Sequence, residues 1–157
     1  LGLADINNGS MQIFKTILKG LPFYTPGMVG YVDARDIAKA QILLMESGVK
    51  NERFIVSTEN LSYREVLGMV ADGFSKKRPY IRVNSTLAML AVYYFRIRSL
   101  FIGKPPRLTR ETARTALKSY RYSSEKFNAL SGMQYHKISD TIAGICKLYL
   151  ENDFFRK

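Results

Sequence analysis

Residues 122–126 read Tyr-Ser-Ser-Glu-Lys, which places a phenol and an ammonium group four positions apart. Side chains at this spacing share one face of a helix. A lysine held beside a tyrosine lowers the pKa of the phenol, and such a pair can act as a general acid and base. The same residues also fit a structural role, in which a serine caps a helix and Lys126 is exposed.

Other arrangements that would support catalysis are absent from the sequence. It has no glycine-rich strand-to-helix turn for a pyrophosphate, no phosphate loop, no Gly-x-Ser-x-Gly elbow and no His-Glu-x-x-His. The single cysteine, Cys146, lies among apolar residues and is more typical of a core residue than of a nucleophile. The single histidine, His136, has the sequence context of a loop residue, so no Cys/His metal cluster can form.

The positive charge is concentrated in one third of the chain. The net charge is +11, and residues 76–126 contain thirteen basic residues against two acidic ones. Arg107, Arg110, Arg114 and Lys118 are spaced to line one face of a helix. A solvated surface explains this pattern best, an anionic or phosphate-bearing small substrate comes second, and nucleic acid comes third.

Several helices are indicated by apolar residues at helical spacing beside residues that can cap a helix. The first is predicted to follow Ser10 and to end at Leu18. The others are predicted from Asp33 to about Gly48, from Ser62 through Phe74, from Thr109 to about Lys118, and from Ser139 to about Asn152. Asp33 and Asp36 are both expected to accept bonds from amides of the first helical turn, and Ser62 with Glu65 forms a capping box.

Two short runs are typical of strands, namely 53–57, predicted to be buried, and 79–83. Residues 23–30 are predicted to be a loop with a Pro-Gly turn. The alternation of helices and strands predicts an α/β fold of helices layered on a sheet.

An apolar run covers residues 87–95. Nine residues are too few to span a bilayer, which requires about twenty. A buried helix is therefore favoured over a helix that lies on a membrane surface.

The segment GYVDARDIAKA at 30–40 resembles the "V-D-V-R-D-V-A-x-A" segment of the extended short-chain dehydrogenases/reductases, the NAD-dependent epimerase/dehydratase group. Residues 53–56, 61–65, 105–109 and 122–126 also resemble successive segments of that family, in the same order. The resemblance covers nearly the whole chain and is closest to the dihydroflavonol-reductase-like branch. It implies the C-terminal part of a Rossmann-like protein, with the last strand or strands and helices followed by a small, mostly helical substrate-binding lobe.

The resemblance also implies an answer for Tyr122. In that family the catalytic Tyr-x-x-x-Lys precedes the part matched here, as does the glycine-rich dinucleotide fingerprint, whereas residues 122–126 match a later step that introduces a helix. The structural role is therefore favoured, with Ser123 or Ser124 as the cap. The chain, which begins Leu-Gly-Leu-Ala without an initiator methionine, is expected to be a fragment.

Residues 1–58 are expected to be the remnant of the dinucleotide-binding domain and residues 59–157 the substrate-binding lobe. By similarity to the sugar-nucleotide epimerases of the family, Ser10, Tyr31 and Arg114 are candidate substrate contacts, and Arg35 is favoured as a surface residue. No catalytic, cofactor-binding or metal-binding residue is assigned.

The parent protein is expected to be an NAD(P)-dependent oxidoreductase, epimerase or dehydratase that uses NAD or NADP, with none bound to this chain alone. The expected partner is a small molecule, anionic or phosphate-bearing. A nucleic-acid-binding module is the alternative function, but neither nucleic acid nor a membrane is favoured as a partner. The single cysteine fits a reducing, cytoplasmic setting. Substrate, cofactor choice, stereochemistry and oligomeric state stay open.

Overall fold

The computed structural model describes residues 1–2, 9–103 and 108–151. Within these ranges the chain forms seven helices and four short strands, in the order α1 Met11–Leu18, β1 Phe23–Tyr24, β2 Met28–Tyr31, α2 Ala34–Glu46, β3 Glu59–Ser62, α3 Tyr63–Gly73, β4 Ile81–Arg82, α4 Ser85–Ile102, α5 Arg110–Leu117, α6 Glu125–Ser131 and α7 Ile138–Glu151. The predicted mixture of α and β elements is therefore present. The order of helices also agrees with the sequence.

The main core lies between α1, α3 and α7. The apolar faces predicted for these helices all point into it, and its most completely buried side chains include Phe14, Val70 and Ile142. The ring of Phe74 meets the rings of Phe14 and Tyr149 edge to face, at centroid distances of 6.2 and 5.4 Å. Such pairs add about 0.5–1.5 kcal/mol beyond the burial of their area.

The prediction of a loop over residues 23–30 is wrong. β1 pairs in parallel with β4, and β2 pairs antiparallel with β3, with Met28 opposite Ser62 and Tyr31 opposite Glu59. The partners of β1 and β2 lie far along the chain, so local turn signals could not reveal the pairing.

The predicted buried strand over 53–57 is also wrong. These residues are not in a strand, and Ile55 is 51% exposed. The main chain of Ser57 is instead held by one side chain, because the Ser124 hydroxyl accepts from its N–H and donates to its carbonyl, both at 2.7 Å. A side-chain bridge thus takes the place of a strand partner.

The apolar run lies in a helix, α4, but the prediction that it is buried is wrong. α4 is 18 residues long, and only Ala88 and Val92 are buried, in a small second cluster with Ala113 of α5. In the part of the chain that the structure describes, α4 is the one helix whose length and composition would allow it to cross a membrane.

Three of the predicted helix caps are confirmed. Asp33 accepts from the Arg35 N–H, Thr109 from the Thr112 N–H, and Ser62 forms both bonds of the capping box with Glu65. Ser10 occupies the cap position of α1 without a side-chain cap bond. Ser139 lies inside α7, so it is not the cap.

The main core contains residues from both sides of the predicted boundary at residue 58, such as Met11 and Tyr31 before it and Val66 and Ile138 after it. The division into 1–58 and 59–157 stays a prediction.

The contact between α3 and α7 leaves no room for a side chain at Gly73. A Cβ there would lie 2.6 Å from the sulfur of Cys146, whereas a Cβ on Gly144, also in α7, would meet open space. We expect Gly73→Ala to lower the free energy of unfolding by about 1–3 kcal/mol through overpacking. The matched control Gly144→Ala should raise it by about 0.5–1 kcal/mol. Urea denaturation followed by circular dichroism measures both, and equal effects would contradict the packing described.

Candidate functional site

Tyr122 and Lys126 do not form an acid/base pair. α6 begins at Glu125, so the two residues do not share a helical face. The main chain of Tyr122 is held by the Asn60 side chain through two bonds of 2.9 Å. The Lys126 ammonium lies 2.5 Å from a carboxylate oxygen of Glu52. The structural interpretation of this segment is therefore confirmed.

The cap of α6 differs in detail from expectation. Ser124 occupies the cap position, but its hydroxyl bonds the main chain of Ser57 instead of the helix. The Ser123 hydroxyl accepts from the Glu125 N–H at 3.3 Å.

The carboxylate of Asp33 is the most constrained charged group of the 30–40 segment. It is 3% exposed and accepts two bonds from the Arg35 guanidinium, at 2.7 and 3.0 Å, and one from the Thr141 hydroxyl, at 2.6 Å. The Arg35 guanidinium, with help from Thr141, holds the pKa of Asp33 well below its usual range against the opposing effect of burial. Arg35 itself is 62% exposed, in agreement with the surface position expected for it.

Asp36 does not cap α2, contrary to expectation. It is fully buried. One carboxylate oxygen accepts from the main-chain N–H of His136 at 2.9 Å, and the other oxygen lies 2.6 Å from Nδ1 of the same histidine. His136 does lie in a loop, as its sequence context indicated. This Asp–His contact ties the loop before α7 to α2.

The start of α7 is held by carboxylates from distant parts of the chain. Glu59 accepts from the Ile138 N–H at 2.9 Å, and Asp33 and Asp36 hold Thr141 and His136. Carboxylates are favourable at a helix N-terminus, where free N–H groups and the helix dipole both attract negative charge. These contacts explain why α7 begins without a Ser139 cap.

The two faces of the β2–β3 pair differ in character. On one face Tyr31 and Val29 pack into the main core. On the other face Gly30 leaves so little space that a Cβ would lie 2.5 Å from Ser57 Oγ and 2.9 Å from the Tyr122 ring. The hydroxyls of Tyr31, Ser57 and Thr58 are buried and have no hydrogen-bond partner among the described residues.

A polar cleft of about 660 Å³ opens beside β2 and α3. Its volume is in the range typical of small-molecule sites. Its lining consists of Met28, Ser62, Arg64, Glu65, Gly68, Met69, Asp72, Arg78 and Pro79. No local sequence pattern predicts this cleft, because its walls come from three separate segments.

The charges of this cleft are already partly paired. Glu65 is engaged in the cap of α3, and both oxygens of Asp72 accept from Arg78, at 2.5 and 2.7 Å. Arg64 lies over the ring of Tyr24, 5.2 Å from its centroid, and no ion pair engages it within the described ranges. The cleft thus contains the guanidinium of Arg64, which has no ion-pair partner among the described residues, and that of Arg78, whose orientation is fixed by Asp72.

Among the described residues, no hydrogen bond joins the three predicted substrate contacts, Ser10, Tyr31 and Arg114, to one another. Ser10 is exposed at the start of α1, Arg114 is exposed on α5, and Tyr31 is 8% exposed in the core. None of the three lines the cleft. Their role stays a prediction.

Two groups of the core, the Cys146 thiol and the Tyr31 phenol, have pKa values above their ordinary ones. Burial raises the pKa of the Cys146 thiol to about 11, and Cys146 is a core residue as expected. Burial, together with the neighbouring Tyr63, raises the pKa of Tyr31 far above its ordinary value, so this phenol stays protonated. A general base or a nucleophile would need the opposite shift.

Comparison with known proteins identifies the fold. A nucleoside-diphosphate-sugar epimerase from Pseudomonas aeruginosa matches with a TM-score of 0.72 at 17% identity, over 99% of this chain and 46% of its own. The fold of the present chain is similar to part of an extended short-chain dehydrogenase/reductase. The dTDP-glucose 4,6-dehydratase DesIV from Streptomyces venezuelae, solved with NAD and TYD bound, matches with a TM-score of 0.65 at 14% identity, over 98% of this chain and 42% of its own. The Bordetella bronchiseptica enzyme WbmG, in complex with NAD and UDP, matches with a TM-score of 0.59 at 18% identity, over 96% of this chain and 40% of its own.

At these identities the likeness establishes the fold alone. The chain spans less than half the length of each of these extended short-chain dehydrogenases/reductases. No protein-family model and no curated protein sequence matches it.

The buried Asp33 carboxylate makes the stability of the fold depend on pH. A carboxyl group whose pKa is lower in the folded state stabilises the protein above its unfolded pKa of about 3.9, and this stabilisation is lost as the pH falls through the folded pKa. Asp33→Asn retains an oxygen at the cap but removes the charge. We expect it to cost about 1.5–3 kcal/mol at pH 7 and progressively less below pH of about 3.9.

Urea denaturation at a series of pH values measures this difference. The control is Asp72→Asn, which breaks an ion pair with Arg78 that is half exposed and should cost less than about 1 kcal/mol. A cost of Asp33→Asn that does not change between pH 7 and pH 3 would exclude the proposed role of the charge.

Proposed function

We propose that this chain is the C-terminal, substrate-binding part of an NAD(P)-dependent epimerase, dehydratase or reductase of the extended short-chain dehydrogenase/reductase family. The observation that carries the proposal is the match of 96–99% of the chain to less than half of each enzyme. The resemblance of the segment at 30–40 to that family also supports it.

The described residues do not fit a dinucleotide. A pyrophosphate binds where a glycine-rich turn leads from a strand into a helix. Here the helices that follow strands, α2, α3 and α4, are capped by Asp33, Ser62 and Asn84. The Asp33 carboxylate repels a phosphate, and the Ser62 and Asn84 side chains already occupy the N–H groups of Glu65 and Leu87. NAD or NADP would therefore be held by other parts of the parent protein, and no reaction step is assigned to this chain.

The substrate proposed for the cleft beside β2 and α3 is an anionic small molecule, specifically a nucleoside diphosphate or a sugar derivative of one. Two matched enzymes were solved with TYD and UDP. Arg64 supplies an uncompensated charge, and Arg78 is held in place by Asp72, so a diphosphate can gain charge-assisted bonds with little reorganisation. Ser10, Tyr31 and Arg114 stay proposed as substrate contacts outside this cleft, since none of them lines it.

The proposal predicts that the 157-residue chain binds UDP but not NADH. Arg64→Gln should weaken UDP binding by about tenfold or more, because a hydrogen bond to a charged group contributes about 1.5–3 kcal/mol. Arg78→Gln should have a similar effect, since it also leaves Asp72 unpaired. Isothermal titration calorimetry measures these affinities, and Arg53→Gln, which changes an exposed arginine outside the cleft, serves as the control.

Two results would contradict the proposal. Micromolar binding of NADH would mean that the chain holds a cofactor site. Tight binding of RNA or DNA in a filter assay, falling steeply with salt and lost when Arg110 and Arg114 are replaced, would favour a nucleic-acid-binding module instead.

A further inference from the structure

α4 presents an apolar face to solvent. The outward-facing residues recur at helical spacing, and six of them are between 56% and 86% exposed. They are Leu90, Tyr93, Tyr94, Ile97, Leu100 and Phe101. The opposite side of the helix carries Ala88 and Val92, which pack on α5. The outward face is therefore continuous, and it is not the side by which α4 joins the rest of the protein.

Positive charge borders this face on both sides. At 100° per residue, Arg96 and Arg98 lie on either side of Ile97, each about a quarter turn away from the centre of the apolar face. Both arginines are exposed, and α4 contains no acidic residue. An exposed apolar face bordered by arginines, with two tyrosines near its edges, is suited to contact with a membrane surface, where arginines meet lipid phosphates and tyrosines lie at the headgroup level.

The charge pattern argues against a second copy of this chain as the partner. A symmetric contact through α4 would bring Arg96 and Arg98 of one copy close to the same residues of the other, without an acidic residue on either helix to offset them. An anionic lipid surface offers the opposite charge. Spanning is also disfavoured, because α4 is only about 27 Å long and one of its sides is packed against α5.

We propose that α4 docks the protein on an anionic membrane surface. The apolar face enters the boundary between headgroups and acyl chains, and Arg96 and Arg98 contact the lipid phosphates. This surface is separate from the cleft proposed for the substrate, so the two proposals can fail independently.

The first test is sedimentation of the 157-residue chain with sucrose-loaded vesicles of phosphatidylcholine, with or without 25% phosphatidylglycerol. We expect binding to the anionic vesicles only. Replacing Leu90, Ile97 and Phe101 together by serine should reduce the partition coefficient by more than about a hundredfold, because three apolar side chains lose their burial. Arg96→Gln with Arg98→Gln should reduce it by roughly thirtyfold.

The control separates docking by α4 from adsorption of a protein with a net charge of +11. Ile42→Ser with Met45→Ser removes exposed apolar side chains from α2, where they are 55% and 84% exposed, and should leave binding unchanged. If the triple serine variant, which keeps every charge, binds vesicles as well as the unmodified chain, the proposal is wrong.

A second measurement uses the absence of tryptophan from the chain. The emission of a Phe101→Trp variant should shift to the blue when anionic vesicles are added, and that of Met45→Trp should not. A dimer in light scattering that Ile97→Ser with Phe101→Ser converts to a monomer, without vesicle binding, would instead assign the face to a second copy.

Discussion

The rest of the structure depends on three carboxylates, of which Asp33 and Asp36 are buried and Glu59 is partly exposed. Asp33 and Asp36 at the start of α2 and Glu59 in β3 all reach the segment that begins α7. Removing a carboxylate from water is costly unless charged or polar donors replace the lost hydration. Arg35, Thr141, His136 and the free N–H groups at the start of α7 supply those donors. Through these contacts, three segments that are distant in sequence surround one core.

Features that depend on residues close together in the chain were predicted correctly from the sequence. The apolar faces of α1, α3 and α7 and the caps at Asp33, Ser62 and Thr109 depend on residues within one or two helical turns of each other, and they are present. The family resemblance favoured a structural role for Tyr122, and in the structure Tyr122 precedes α6 and shares no helical face with Lys126, whereas spacing alone left the question open.

The wrong predictions share one cause, namely partners that are distant in sequence. β2 becomes a strand because β3 lies beside it, and the predicted strand over 53–57 has Ser124 as a partner instead. Asp36 resembles a cap but bonds His136, a hundred residues later. α4 looks like a core helix, yet no described element covers its outer face. The polar cleft was missed for the same reason, because Met28, Arg64 and Arg78 meet only in the folded chain.

The two core groups with raised pKa values do not line the cleft. The buried thiol and phenol belong to the main core, whereas Arg64 of the cleft has no ion-pair partner among the described residues and Arg78 is paired with Asp72. The outer face of α4 lies on another element and is not part of the cleft lining. The proposed function assigns substrate binding to this chain and the reacting groups to other parts of the parent protein.

The most direct test of this account is the location of a bound nucleotide, mapped by amide chemical shifts in ¹H–¹⁵N spectra of the chain titrated with UDP. If the cleft binds the nucleotide, the shifts concentrate at Arg64, Gly68, Met69 and Arg78, along the wall of the cleft. Shifts confined to the separate cavity of about 310 Å³ beside Asp33 and Gly144, or no shifts at millimolar UDP, would contradict it.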